Sequence, residues 1–205
     1  VSTVVMATLV VGPFYLSRTL GLSPALVGLV LSVGPLVTAL TGVPAGRVVD
    51  RFGPQGVMRI GLAAMAAGAA ALSVAPSVSG VPGYLGPLVV LTAGYAAFQT
   101  ANNTAVMTAV RSDQRGVTSG LLNLSRNLGL LTGASVMGAV FALGSASADV
   151  ATALPRAVAA GMHLTLAVAA LLIGGALVVA ARGPGRSRGE APVDAPARVG
   201  AGTDH

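Results

Sequence analysis

Cysteine is missing from these 205 residues, which rules out disulfides, thiolate metal sites and thiol nucleophiles in the chain. Charge is scarce as well: Asp, Glu, Lys and Arg together make up 9% of the sequence, where ordinary soluble domains carry roughly 25%. Lysine does not occur, so every basic residue is an arginine. Histidine appears only at His163 and His205, without ligand spacing, so no metal centre is expected. No Gly-x-x-x-x-Gly-Lys loop is present to cradle a phosphate. That argues against ATP use by this chain, and no other cofactor is indicated. Aromatic residues, at 3%, are too few to interleave with the arginines, so the net charge of +6 does not read as nucleic-acid recognition. Basic loops of this kind attract anionic lipid headgroups instead.

What the chain does have is apolar length. Hydrophobic residues make up 54% of it and the mean hydropathy is +0.82. Apolar runs fall at about 3–20, 24–46, 56–76, 84–109, 116–143 and 156–181, and crossing a hydrocarbon core of ~30 Å takes ~20 helical residues. The runs are too continuous for the alternating pattern of an outer-membrane barrel, and an open sheet edge cannot sit in lipid, so the spans must be helices. The expectation is an all-α polytopic membrane protein with a six-helix domain over residues 1–182. Residues 183–205, rich in Gly, Pro and Arg, have too little apolar bulk to fold and are expected to be disordered. The first run is too long, and too soon followed by a second, for a cleaved signal peptide. Val1 is not Met and no polar segment precedes the first run, so the sequence reads as part of something longer or as beginning at a misassigned start.

Arginine placement orients the spans. After the second, fourth and sixth runs lie Arg47, Arg51, Arg59, Arg111, Arg115, Arg182, Arg186, Arg188 and Arg198, against Arg18 and Arg156 on the opposite side. Nine against two predicts both termini in the cytoplasm of a cell whose plasma membrane holds the protein.

At the cytoplasmic end of the second run the chain reads Gly46-Arg47-Val48-Val49-Asp50-Arg51-Phe52-Gly53. Glycine at Gly46 allows close helix approach and Gly53 can take a positive φ. Asp50 can cap a helix N-terminus or pair with an arginine. A cluster of this kind acts as a latch if it forms in one conformation and breaks in another. The octapeptide, placed after the second of six spans, resembles the signature loop of the major facilitator superfamily, with Gly46, Asp50, Arg51 and Gly53 matching and Pro54 and Gln55 standing where a basic pair is usual. The fourth run has no internal Arg and the fifth has no Pro, which favours the second half of such a transporter. The stretch from Phe98-Gln99-Thr100-Ala101-Asn102-Asn103 to Arg115-Gly116 and on through Asn123-Leu124-Ser125-Arg126-Asn127-Leu128-Gly129 is similar to the late helices of the fourteen-span drug:proton antiporters. So is Pro13-Phe14-Tyr15-Leu16 followed by Leu20-Gly21-Leu22-Ser23-Pro24.

Arg126 is the most informative polar residue. It lies about ten residues into the fifth run, hence ~15 Å deep, where an unpaired charge costs a few kcal/mol or more. Ser119, Asn123, Arg126, Gly129 and Gly133 share one helical stripe, and Tyr95, Gln99, Asn102 and Asn103 gather on one side of the fourth run. The expectation is that Tyr95, Gln99, Asn102, Asn103, Asn123 and Arg126 line a cavity at the depth where transporters hold substrate. The alternatives are that Arg126 snorkels or bonds a neighbouring carbonyl and that the amides join helices to one another. Gly116, Gly120, Gly129 and Gly133 are expected to permit close helix packing, and Gly34-Pro35 and Gly42-Val43-Pro44 to bend the second helix.

No carboxylate falls inside a span, since Asp50 and Asp113 lie in connections and Asp149 outside. The resemblance implies a secondary carrier exporting drugs or other small solutes in exchange for protons, with no covalent chemistry. The protonating acid would then belong to a missing N-terminal half, the chain's main partner besides lipid and solute. A six-helix channel or self-assembling membrane protein is the competing class, although no filter loop is evident. An intramembrane serine protease using Ser135 and His163 is a weaker one, because Gly133-Ala134-Ser135 is followed by Val136 rather than Gly.

Overall fold

A computed structural model describes residues 1–74, 76–145 and 154–182. The described residues contain helices and no strand. They form α1 (Ser2–Phe14), α2 (Pro24–Phe52), α3 (Pro54–Val74), α4 (Pro76–Ala109), α5 (Arg115–Ser145) and α6 (Pro155–Arg182). The tail from residue 183 lies outside the described residues. Helices α2, α3, α5 and α6, together with α4 from Gly80, are long and apolar enough to cross a bilayer. The first element is shorter than the expected span over 3–20. Its 13 residues make an α-helix of ~20 Å at ~1.5 Å per residue, continued by a π turn over Tyr15–Thr19.

Local chemistry sets these boundaries. The Ser17 hydroxyl donates to the Pro13 carbonyl at 2.8 Å, and the Leu20 N–H reaches back five residues to Tyr15 O at 3.3 Å. The wider turn lets two consecutive residues, Tyr15 and Leu16, both point into the core. Pro24 opens α2 in the first turn, where its missing N–H costs nothing. α2 runs on through Pro35 and Pro44 to Phe52, beyond the end expected near residue 46. Nothing between Gly46 and Gly53 breaks a helix, and Val49 is buried against Val57 and Ala101. The expected inter-helix loop thus shrinks to Gly53, whose φ of 78° and N–H bond to Val49 O at 2.9 Å end the helix. In α4, Gly80 at φ 60° and ψ −135° interrupts the helical backbone, so the span proper begins there, four residues before the start read from hydropathy.

Three apolar clusters hold the bundle. The largest joins all six helices at one end: Val11, Tyr15 and Leu16 meet Val30, Leu72, Tyr84, Phe141, Met162 and Leu166. A second joins α1, α3, α4 and α6 around Val4, Met65, Leu91 and Ile173, and a small third ties α2 to α3 and α4. Much large apolar surface faces outward, with Leu29, Leu143 and Leu171 66%, 78% and 76% exposed. A water-soluble monomer rarely leaves so much apolar area uncovered, whereas lipid is its natural neighbour. α3 and α4 pack most closely: a Cβ at Gly61 would sit 2.7 Å from Phe98 N, one at Gly68 2.7 Å from Leu91 N, and one at Gly94 2.8 Å from Gly61 O.

Candidate functional site

α4 and α5 are joined by a short connection containing a 3-10 turn over Ser112–Gln114, tied by an exposed Arg111–Asp113 ion pair at 3.5 Å. They nonetheless diverge from one another, because α5 packs on α1 and α6 while α4 packs on α3 and α2. The start of α1 fits the wedge between them. Thr3 Oγ1 donates to Gly129 O at 3.1 Å, and Cβ atoms added at Gly129 and Gly133 would lie 3.2 Å from Ser2 Cβ and 2.5 Å from Thr3 Cα.

Below that contact lies a cavity of about 400 Å³, and Tyr95, Gln99, Asn102, Asn103, Asn123 and Arg126 all line it, with Phe98, Leu122, Ser125 and Ser2 among the rest. The six residues read from helical spacing as one lining set are brought together. A second cavity of about 480 Å³ shares Asn103 and runs to Arg115. A third, of about 390 Å³, shares Tyr95 and Arg126 and extends between α1, α2 and α4, past Val5, Leu31, Thr38 and Leu91. Sequence reasoning missed this last one. Its signal was Leu31, Gly34, Pro35 and Thr38 at helical spacing on one face of α2, a face interpreted only as a bend.

Polar side chains in the bundle fall into two groups. Many serine and threonine hydroxyls are satisfied within their own helices: Thr92 donates to Leu88 O at 2.7 Å, Thr100 to Ala96 O at 2.9 Å and Thr104 to Thr100 O at 3.0 Å. The side-chain amides of Gln99, Asn102, Asn103 and Asn123 and the Arg126 guanidinium have no hydrogen-bond or ion-pair partner among the described residues. These amides do not join helices to one another here, nor does Arg126 bond a neighbour's carbonyl. In hydrocarbon such groups must find water or a ligand, and the cavity is where they converge.

The remaining expected residues are placed less compactly. Gly46 has no atom within 4 Å of an added Cβ, and Asp50 is exposed in the last turn of α2, so it caps no helix N-terminus. Arg51 lies over the Phe52 ring at 5.6 Å. Among the described residues Asp50 has no ion-pair partner. Gly116 and Gly120, grouped from sequence with Gly129 and Gly133, face open space. Close approach is made instead at Gly61, Gly68 and Gly94, and where Gly144 meets Gly161. Ser135 is exposed and donates to Leu131 O at 3.3 Å, and it is not hydrogen-bonded to His163.

Comparison with known proteins agrees with this architecture. The chain is 33% identical over 132 residues to the uncharacterized transporter YebQ of Escherichia coli (strain K12), covering 64% of this chain and 29% of YebQ. It is 27% identical over 130 residues to the riboflavin transporter RibZ of Clostridioides difficile (strain 630), covering 63% and 28%. It is 29% identical over 127 residues to the multidrug efflux pump LfrA of Mycolicibacterium smegmatis (strain ATCC 700084 / mc(2)155), covering 62% and 25%. The matched region is thus less than a third of each relative's length. A family model matches residues 1–201, and with the multi-span helical architecture this establishes that the chain belongs to the Major Facilitator Superfamily of membrane transporters.

Proposed function

We propose that this chain is half of an alternating-access carrier that exports drugs or other small organic solutes, with the cavity between α1, α4 and α5 as its part of the solute site. The observation that carries the proposal is the convergence of four unpartnered amides and one unpartnered arginine on a cavity of about 400 Å³, within the ~300–1,000 Å³ usual for small-molecule sites. Similarity to proteins named as a riboflavin transporter and a multidrug efflux pump supports a solute of organic character. The arginine bias supports a cytoplasmic position for Arg47, Arg111, Arg115 and Arg182, and on that orientation the cavity of Asn103 and Arg115 faces the cytoplasm. Proton coupling, if the carrier uses it, draws on an acid outside the described spans, because their only acids, Asp50 and Asp113, sit at helix ends.

The test is drug accumulation in an efflux-deficient bacterial strain expressing the full-length carrier. Expression lowers accumulation, collapse of the pH gradient restores it, and Arg126→Ala abolishes export at unchanged protein level. Wild-type export by a normally expressed Arg126→Ala variant would remove Arg126 from the site. Lost folding would make its role structural.

A further inference from the structure

The two cavities that meet at Tyr95 and Arg126, of about 400 and 390 Å³, have walls of different chemistry. The one between α1, α2 and α4 has three threonines in its lining, yet away from Tyr95 and Arg126 it is apolar in structure. Its three threonines, Thr8, Thr38 and Thr92, each donate to a carbonyl of their own helix: Val5 O at 2.8 Å, Gly34 O at 3.1 Å and Leu88 O at 2.7 Å. With the hydroxyl protons committed to the backbone, the threonines offer no free donor, and apart from Tyr95 and Arg126 at the junction the rest of the wall is apolar. The other cavity is lined by the unpartnered amides.

Arg126 stands at the junction and is the one charged side chain lining either cavity among the described residues. A guanidinium stays ionised and presents a planar fork of donors that matches a carboxylate. Neighbouring side-chain amides can donate to the carboxylate's remaining lone pairs. A cationic solute would meet like charge with nothing to neutralise it, and a neutral one would leave the arginine unpaired as water is displaced.

We infer that the paired cavities select an apolar organic anion, its carboxylate held at Arg126 and its hydrocarbon or ring body seated between α1, α2 and α4. The inference rests on the carrier reading above and deepens it by naming a substrate class. A two-ring body matches the apolar compartment, whose size lies at the small end of the ~300–1,000 Å³ range of ligand sites.

The experiment measures equilibrium binding and uptake in membrane vesicles containing the full-length carrier, with three probes of one shape: 2-naphthoate, 2-naphthamide and 2-naphthylmethylammonium. Wild type binds the carboxylate roughly 10–100-fold more tightly than the amide, the span of a charge-assisted hydrogen bond, and the ammonium most weakly. Arg126→Gln brings carboxylate and amide within about twofold of each other by removing that contact, the loss falling mainly on the carboxylate. Arg126→Lys keeps the carboxylate preference, which serves if the glutamine variant does not fold. Ala39→Phe, which fills the apolar compartment, weakens carboxylate and amide alike and leaves their ratio intact.

Equal binding of carboxylate and amide by wild type overturns the inference, and so does equal loss of both in Arg126→Gln. The first result also follows if an acid elsewhere in the protein already neutralises Arg126. Preferential uptake of the ammonium overturns it while leaving the carrier reading standing. If none of the three probes binds, the substrate class falls, and the carrier reading is judged by the drug-accumulation measurement alone.

Discussion

Replacing Gly12 with alanine puts a methyl carbon 2.5 Å from the Tyr84 hydroxyl oxygen, closer than non-bonded carbon and oxygen can stand. Tyr84 cannot swing away. Its side chain is fully buried in the cluster that joins all six helices, and its ring lies nearly parallel to that of Tyr15 at a centroid distance of 6.4 Å. Overpacking at such a site costs ~1–3 kcal/mol. The same hydroxyl has no hydrogen-bond partner, so Tyr84→Phe removes a buried orphan group and is neutral or stabilising, by up to ~1 kcal/mol. In the double variant the nearest ring atom is the former hydroxyl-bearing carbon at 3.7 Å, an ordinary contact, and the other close neighbour, Leu31 Cδ2 at 3.3 Å, is the end of a flexible side chain. Tyr84→Phe therefore rescues Gly12→Ala, with a coupling energy of ~1–3 kcal/mol. The assay is heat stability of the detergent-solubilised, fluorescently tagged carrier by size-exclusion chromatography, a readout that needs neither tryptophan nor cysteine, both absent from this chain. Strict additivity, with the double variant as unstable as the sum of its parts, would show that the hydroxyl is not what Gly12 accommodates.

Other substitutions separate glycines that pack from glycines that do not. Gly61→Val drives a branched side chain into the α4 backbone at Phe98 and Gly94 and should lose the folded fraction on the same chromatographic assay, at a cost above ~3 kcal/mol. Gly116→Ala and Gly120→Ala meet nothing and gain helix propensity of up to ~1 kcal/mol. Loss of stability in either would reveal a packing partner elsewhere in the protein. Gly53 holds φ 78° and ψ 153°, a region nearly closed to side chains, so Gly53→Ala costs ~1–3 kcal/mol, read as lower heat stability beside an unaffected Gly56→Ala control. Arg59 Nε donates to Ala180 O at 3.3 Å and so ties α3 to the last turn of α6. Arg59→Gln should lose ~0.5–1.5 kcal/mol, and no change in melting would mean that water replaces the bond without loss.

Hydropathy and helical spacing carry much of this structure, and where they stop is instructive. The cavity set from Tyr95 to Arg126 was legible because polar residues are so costly in a span that those at helical spacing must share a purpose. The apolar compartment was not, because threonine looks the same in sequence whether its hydroxyl faces a ligand or its own backbone. The bonds of Thr8, Thr38 and Thr92 decide that only in three dimensions. Glycine is ambiguous for a related reason. Gly116 and Gly120 have the spacing of a packing motif, yet Gly61, Gly68 and Gly94 do the packing, since which face of a helix meets a neighbour depends on the whole bundle. α2 outruns its hydropathy because the charged residues from Arg47 to Arg51 look like a loop in sequence, although only Gly53 there breaks the helix.

The distribution of buried side chains bears on how a carrier built from this chain would change its access. The cluster holding Val11, Tyr15, Tyr84, Phe141 and Met162 closes one end of the helices, while α4 and α5 part at the other, around Arg126 and Asn103. Opening the closed end by separating helices within this chain would wet a dozen buried side chains, at ~1.5–3 kcal/mol each. Even if half stayed covered, the cost would be ~9–18 kcal/mol, far above the few kcal/mol that separate interconverting conformations. On the proposed carrier reading, motion between this chain and a second half would leave the cluster intact and avoid that cost. The closed end should then behave as part of a rigid body in both access states. Hydrogen exchange of the backbone around Tyr84 and Met162 should be as slow in one state as in the other, and protection lost there in either state would require the helices themselves to separate.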